Sequence, residues 1–204
     1  MPDPGNLSAK GRQTREAIAQ AARTLFAERG FHGTTLSDIT SAAGRSPAVF
    51  YRYYTDKEDL LAALAESFLH DVVTPSGLRL ALPTSADDDA FFTTVVSGYW
   101  TMFTQNIGIM IAVAQLAATQ SRFAEGQNEF RRFGMDIIAA SVRRAQEQGY
   151  GAELNPEWTA AAIALLFENF TTVVAGNSEL GLDIDDENAI ATLSRIWKKT
   201  LYGY

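Results

Sequence analysis

Apolar residues return with a helical period along most of this chain. Between Lys10 and Arg29, the residues Ile18, Ala21, Ala22, Leu25 and Phe26 fall at i, i+3, i+4, i+7 and i+8. That spacing puts them on one stripe of an amphipathic helix, which Gly30 ends. Thr35, with Asp38 three positions on, opens a short helix from Leu36 to Ala43 that Gly44 stops. Ser46 followed by Pro47 is an N-cap with proline at the first helical position, and it starts a helix reaching about Tyr54. Thr55 and Glu58 complete an S/T-x-x-E capping box, which predicts a helix from Asp56 to about Val73 with Leu60, Leu61, Leu64, Phe68 and Val72 as its stripe.

Residues 74–88, with Pro75 and Gly77, read as a loop between two units. Helix five, about 88–104, is dense in aromatics, and helix six, about 107–119, is mostly Ile, Met, Val and Ala. Helix seven spans about 122–148, and helix eight, opened by Asn155-Pro156, runs to about Ala175 and is apolar nearly all round. Helix nine, about 186–202, carries Ile190, Leu193 and Trp197 on one face. No stretch alternates as a strand would. The expected fold class is therefore all-α, with about nine helices. An N-terminal domain over 1–57 and a C-terminal bundle over 58–204 are expected.

Only Gly44-Arg45-Ser46 separates the second helix from the third, so the two must cross steeply. That is a helix-turn-helix at about 35–54, whose second helix enters the DNA major groove. The residues Gly33-Thr34-Thr35, Leu36, Asp38-Ile39, Ala43-Gly44, Ser46-Pro47-Ala48, Phe50-Tyr51, Tyr53-Tyr54 and Lys57-Glu58 with Leu60 carry a resemblance. Together they resemble, without a gap, the DNA-binding segment of the TetR family of bacterial transcriptional regulators. The resemblance covers about residues 12–68; beyond that it is one of helical layout and length. Arg45 departs from it, standing where the family usually has a small aliphatic residue. It either packs inward or reaches the DNA backbone.

Ser46, Pro47, Ala48, Tyr51, Arg52 and Tyr53 are expected on the exposed face of the third helix. Pro47 and Ala48 are small enough to lie close to thymine methyls. By resemblance, Tyr51 and Tyr53 contact backbone or base edges, and Lys57 contacts the backbone. Thr35 and Ser37, at the start of the second helix, are further phosphate candidates.

Charge changes the picture. The net charge of −7 looks wrong for a DNA binder until it is mapped. Residues 10–57 hold eight basic and four acidic residues, whereas the remainder is strongly acidic. Such asymmetry points to a nucleic-acid end and a different, acidic end. The chain has no Cys, and its two histidines, His32 and His70, have no metal-ligand spacing, so no cofactor or metal is expected. The first ten residues lack the apolar core of a signal peptide, and the longest apolar run, Ala160–Phe167, is too short to span a bilayer. A cytoplasmic protein is expected.

The resemblance implies an effector site in the C-terminal domain and a homodimer through the last two helices, reading a palindromic DNA operator. The expected pocket lining is Phe68, Tyr99, Trp100, Phe103, Met110 and Phe133, which suits a small, mainly apolar effector. The expected dimer interface is Leu166, Phe170, Val173 and Val174 with Leu193 and Trp197. Glu168 and Asn169, within helix eight, need partners if buried. These readings add up to a ligand-released repressor, not an enzyme. An effector-independent regulator or an activator remains the rival, and an α-helical enzyme or carrier the remote one.

Overall fold

Ser8 starts the first helix, its hydroxyl accepting from the Gly11 amide at 3.2 Å. The computed structural model describes residues 8–73, 82–176, 181 and 184–203. Its helices are α1 (Ala9–Arg29), α2 (Leu36–Ala42), α3 (Pro47–Phe50), α4 (Lys57–Val73) and α5 (Asp89–Gln105). They continue as α6 (Ile107–Ala117), α7 (Ser121–Glu147), α8 (Pro156–Ala175) and α9 (Asp186–Tyr202). Among the described residues no strand occurs. The expected loop at 74–88 lies outside the described residues up to 81.

The chain divides into two units, and not at residue 57. The first unit takes residues 1–71 and 106–127, and the second takes 72–105 and 128–204. Sequence order had placed helix six in the C-terminal domain. In the structure α6 packs on α1, adding Ile109, Ala112, Val113 and Leu116 to a core built from Ile18, Ala22, Leu25 and Phe26. Gly108 makes that approach close: a Cβ there would run into the backbone of Phe26 and Ala27. Ile39 and Phe50 are fully buried in the same core, and Leu36 and Ala43 pack partly against it.

The second unit is centred on Trp197. Its ring meets Phe91 at 5.6 Å, Phe92 at 5.3 Å and Phe167 at 6.2 Å, all edge-on, which is a favoured arrangement of aromatic quadrupoles. Its indole N–H donates to the buried Ser141 hydroxyl at 3.2 Å. Leu193 is equally enclosed. Leu193 and Trp197 are thus core residues of a single chain and present no surface to a partner. The expectation that placed them in an interface is corrected: the stripe of α9 is filled by α5 and its neighbours.

Helix α8 buries Ala160, Ile163, Phe167 and Thr171 in this core. By length and composition it could cross a bilayer, although no single apolar run within it is long enough. Only 22% of that apolar window is buried within the chain. Its opposite side carries Trp158, Leu165 and Leu166 in the open.

The α1–α6 contact generates the first prediction. Gly108→Ala should lower stability by about 1–3 kcal/mol, because the added methyl meets backbone that cannot rotate away. Urea unfolding followed by circular dichroism checks this, and a wild-type midpoint would show that α6 can shift without loss.

Candidate nucleic-acid interface

The recognition segment is held by local bonds at its entrance. Thr35 Oγ1 accepts from the Asp38 amide at 3.2 Å, and Asp38 Oδ2 accepts from the Thr35 amide at 2.8 Å. This reciprocal capping box satisfies two amides that the first turn of α2 leaves open. The Thr35 hydroxyl, then its amide, hold the Asp38 carboxyl below the usual carboxylate range. The Thr35 hydroxyl itself donates to Asp38 at 2.6 Å.

At the turn, Gly44 adopts φ +62°, a conformation that costs a side-chain-bearing residue steric strain. The Arg45 amide donates to Thr40 O at 2.8 Å, closing the corner. The Arg45 guanidinium folds back onto the Gly44 carbonyl at 3.0 Å and is half-buried. Of its two open readings, the structure shows neither inward packing with the core nor full extension.

Pro47 begins α3, while the Ser46 side chain makes no cap bond. The helix is a four-residue turn followed by hydrogen-bonded turns through Tyr54, shorter than the pattern predicts. Phe50 and Tyr54 anchor it with rings 5.5 Å apart, both buried. Opposite them Ser46, Pro47, Ala48 and Arg52 are exposed, and Tyr51 is 60% exposed. Thr35 and Ser37 are exposed at the start of α2. Tyr53 is only partly buried and rests against the core.

Lys57 sits differently from a free phosphate ligand. Its ammonium donates to Phe31 O at 2.6 Å and Thr34 O at 2.7 Å, and lies 4.2 Å above the Phe31 ring. Partial burial lowers its pKa from the ordinary lysine value. The side chain therefore clasps the α1–α2 loop to the start of α4. Helix α4 is also capped otherwise than the sequence pattern suggests. Asp56 Oδ1 accepts from the Asp59 amide at 2.7 Å, and Asp59 Oδ2 accepts from the Thr55 amide at 2.8 Å. Glu58, the expected capping partner of Thr55, accepts instead from Gln120 at 3.0 Å and Arg122 at 3.2 Å.

The six expected pocket residues divide between units: Phe68 and Met110 belong to the first, and Tyr99, Trp100, Phe103 and Phe133 to the second. Trp100 donates its indole N–H to Asp186 at 2.9 Å, and its ring lies tilted beside Phe170 at 6.4 Å. Tyr99 lies 5.6 Å from Phe103 and 5.7 Å from Phe167, ring to ring. Its buried hydroxyl and the nearby Thr171 hydroxyl both lack a hydrogen bond of acceptable geometry. Burial pushes the Tyr99 phenol strongly up, the Glu168 charge adds to this, and the Thr171 hydroxyl opposes it. Glu168 is paired with Arg131 through two bonds, at 2.6 and 2.7 Å. No metal-ligating cluster occurs among the described residues.

A short exposed helix, set behind a glycine turn and fronted by small side chains and a tyrosine, has the form of a helix-turn-helix reader of DNA. Residues 18–64 match the family profile described as bacterial regulatory proteins, tetR family. Over 148 residues the chain is 28% identical to the HTH-type transcriptional repressor KstR2 of Rhodococcus jostii, covering 70% of this chain and 72% of that one. Over 187 residues it is 22% identical to the HTH-type transcriptional regulator EthR of Mycobacterium tuberculosis, covering 92% and 86%. Its fold is similar to the crystal structure of the transcriptional regulator FadR from Bacillus subtilis in complex with stearoyl-CoA. The TM-score is 0.65 at 20% identity, covering 93% of this chain and 98% of that one. Residues 18–64 thus carry the DNA-binding domain of the TetR family, and over most of its length the chain is similar to HTH-type transcriptional regulators. These relatives are transcriptional regulators rather than enzymes.

The clasp separates two kinds of DNA-binding variant. Lys57→Met should weaken DNA binding and also lower stability by about 1–3 kcal/mol, since two partly buried carbonyls lose a charged donor. Tyr51→Ala should weaken DNA binding with an unchanged melting temperature, because its ring is already in solvent. Paired mobility-shift and thermal-melting measurements distinguish them. Equal melting of the two variants would mean that Lys57 does not hold the loop.

Proposed function

We propose that this regulator is a repressor that binds a palindromic operator as a homodimer and is released by a small, mainly apolar molecule. The exposed front of α3, Ser46-Pro47-Ala48 with Tyr51 and Arg52, carries the DNA half of this reading. Thr35, Ser37, Arg45, Tyr53 and Lys57 flank it and would position the backbone.

The proposed dimer uses the uncovered side of α8. Trp158, Leu165 and Leu166 lie within one stripe of that helix and are 78%, 50% and 40% exposed. Phe170, Val173 and Val174 continue the helix at partial burial, and Ile196 offers an apolar side chain from α9 in place of Leu193 and Trp197. A helix apolar all round, but covered on one side only, calls for a second apolar surface.

The proposed effector site lies within the second unit, around Tyr99, Phe103 and Phe167. The supporting observation is the pair of neighbouring buried hydroxyls, Tyr99 and Thr171, which lie beside the Phe103 and Phe167 rings around Tyr99 and bond to no third group among the described residues. A ligand with an apolar body and one hydrogen-bonding group would satisfy them. The FadR relative was solved with a long acyl thioester, whose acyl chain is of this apolar kind.

Operator selection on random DNA, followed by a screen of acyl and aromatic compounds for release, tests the reading as a whole. Releasing compounds should be apolar, and Tyr99→Phe should raise the concentration needed. Release by a compound that is equally effective on Tyr99→Phe would place the effector elsewhere.

The dimer has its own check. Leu166→Asp should sediment as a monomer with wild-type helicity, because burying the new carboxylate between subunits costs several kcal/mol while the chain's own core is untouched. A stable dimer of this variant would remove α8 from the interface.

A further inference from the structure

Within the first unit, a groove of about 340 Å³ lies between α1 and α4. Arg12, Arg15 and Arg23 line it from α1, with Glu16 the one acid among its lining residues. Their spacing keeps them on one side of the helix. Glu16 pairs with Arg23 at 3.3 Å, so the lining keeps an excess positive charge. Arg15 donates through Nε to the Tyr54 hydroxyl at 3.3 Å, which fixes the plane of its guanidinium. Burial raises the pKa of the Tyr54 phenol, so it stays protonated; having accepted from Arg15, it keeps its own O–H as a donor. Ser67 adds a second hydroxyl from α4, and Leu64 with two alanines gives an apolar floor. None of these side chains belongs to the exposed DNA-reading face described above.

A planar guanidinium held by its Nε, beside further arginines and neutral hydroxyl donors, is suited to a tetrahedral oxyanion. The volume exceeds what a phosphate group alone fills and lies within the range of small-molecule sites. The apolar floor suits the organic part of an ester. We propose that this groove binds a phosphate ester. The same chemistry is offered by a free phosphorylated small molecule and by the operator's phosphodiester backbone. The proposal does not rest on the effector site of the second unit.

The test uses the full chain in phosphate-free buffer. Titration calorimetry with adenosine 5′-monophosphate should show binding that adenosine lacks. Arg15→Gln and Tyr54→Phe should each weaken it about tenfold, as loss of a charge-assisted or hydroxyl contact does. Tyr51→Ala, which lies on the DNA-reading face, should leave it unchanged. In parallel, the dependence of DNA affinity on salt is measured for wild type and Arg15→Gln. A slope lower by about 0.9 per subunit assigns the phosphate to the DNA backbone, and an unchanged slope with nucleotide binding assigns it to a free ester. Should Arg15→Gln fail to fold, Arg12→Gln and Tyr54→Phe, which keep the Tyr54 ring in the core, are read in its place. The proposal is overturned if the nucleotide does not bind and the slope is unchanged, or if these variants bind it as wild type does.

Discussion

The first unit depends on covering one stripe of α1. Ile18, Ala22, Leu25 and Phe26 are each almost wholly enclosed, and no one neighbour accounts for that. Ile39 from α2, Phe50 from α3, Leu60, Leu61 and Leu64 from α4, and Ile109 and Val113 from α6 all belong to the same core. A four-residue helix such as α3 cannot persist in water alone, since nucleation consumes more order than its few bonds return. Its attitude is therefore a property of this shared core. The DNA-facing side chains stand where they do because the opposite ring, Phe50, is fixed beneath them.

Around that core, polar contacts set the geometry more than they add stability. Thr35 and Asp38 fix where α2 begins, Gly44 fixes the corner, and Lys57 ties two loop carbonyls to the start of α4. The cap and the lysine satisfy backbone groups that the first turn of α2 and the α1–α2 loop leave open. The second unit follows the same logic with Trp197, whose bulk fills the centre and whose single polar atom is matched by Ser141.

The features legible in the sequence were those written in neighbouring residues. The Gly44 turn, Pro47 at the start of α3, the Asn155 cap of α8 and the stripe of α1 are local signals, and all are present. What was not legible depends on the partner. The apolar face of α9 has the same periodicity whether it meets its own chain or another, so Leu193 and Trp197 could be read as interface when they are core. The acceptors of Lys57 lie 23 and 26 residues away, in a loop with no signature of its own. Thr55-x-x-Glu58 overlaps Asp56-x-x-Asp59 by one step, and Asp59 forms the cap while Glu58 is drawn to Gln120 and Arg122. Tyr54 and Arg15 belong to different helical signals, and only folding brings them together.

The first unit is discontinuous in the chain, and this bears on how it is made. Residues 106–127 complete its core, yet they follow α5, which belongs to the other unit. During synthesis, α1 to α4 emerge with Ile18 and Phe26 lacking the cover that α6 later supplies. An apolar stripe left open in a nascent chain is a site for chaperones or for self-association. Closing the core over so long a sequence separation also raises the contact order, which slows the final step. The DNA-reading helices cannot finish folding until residues 106–127, which follow α5, have been made.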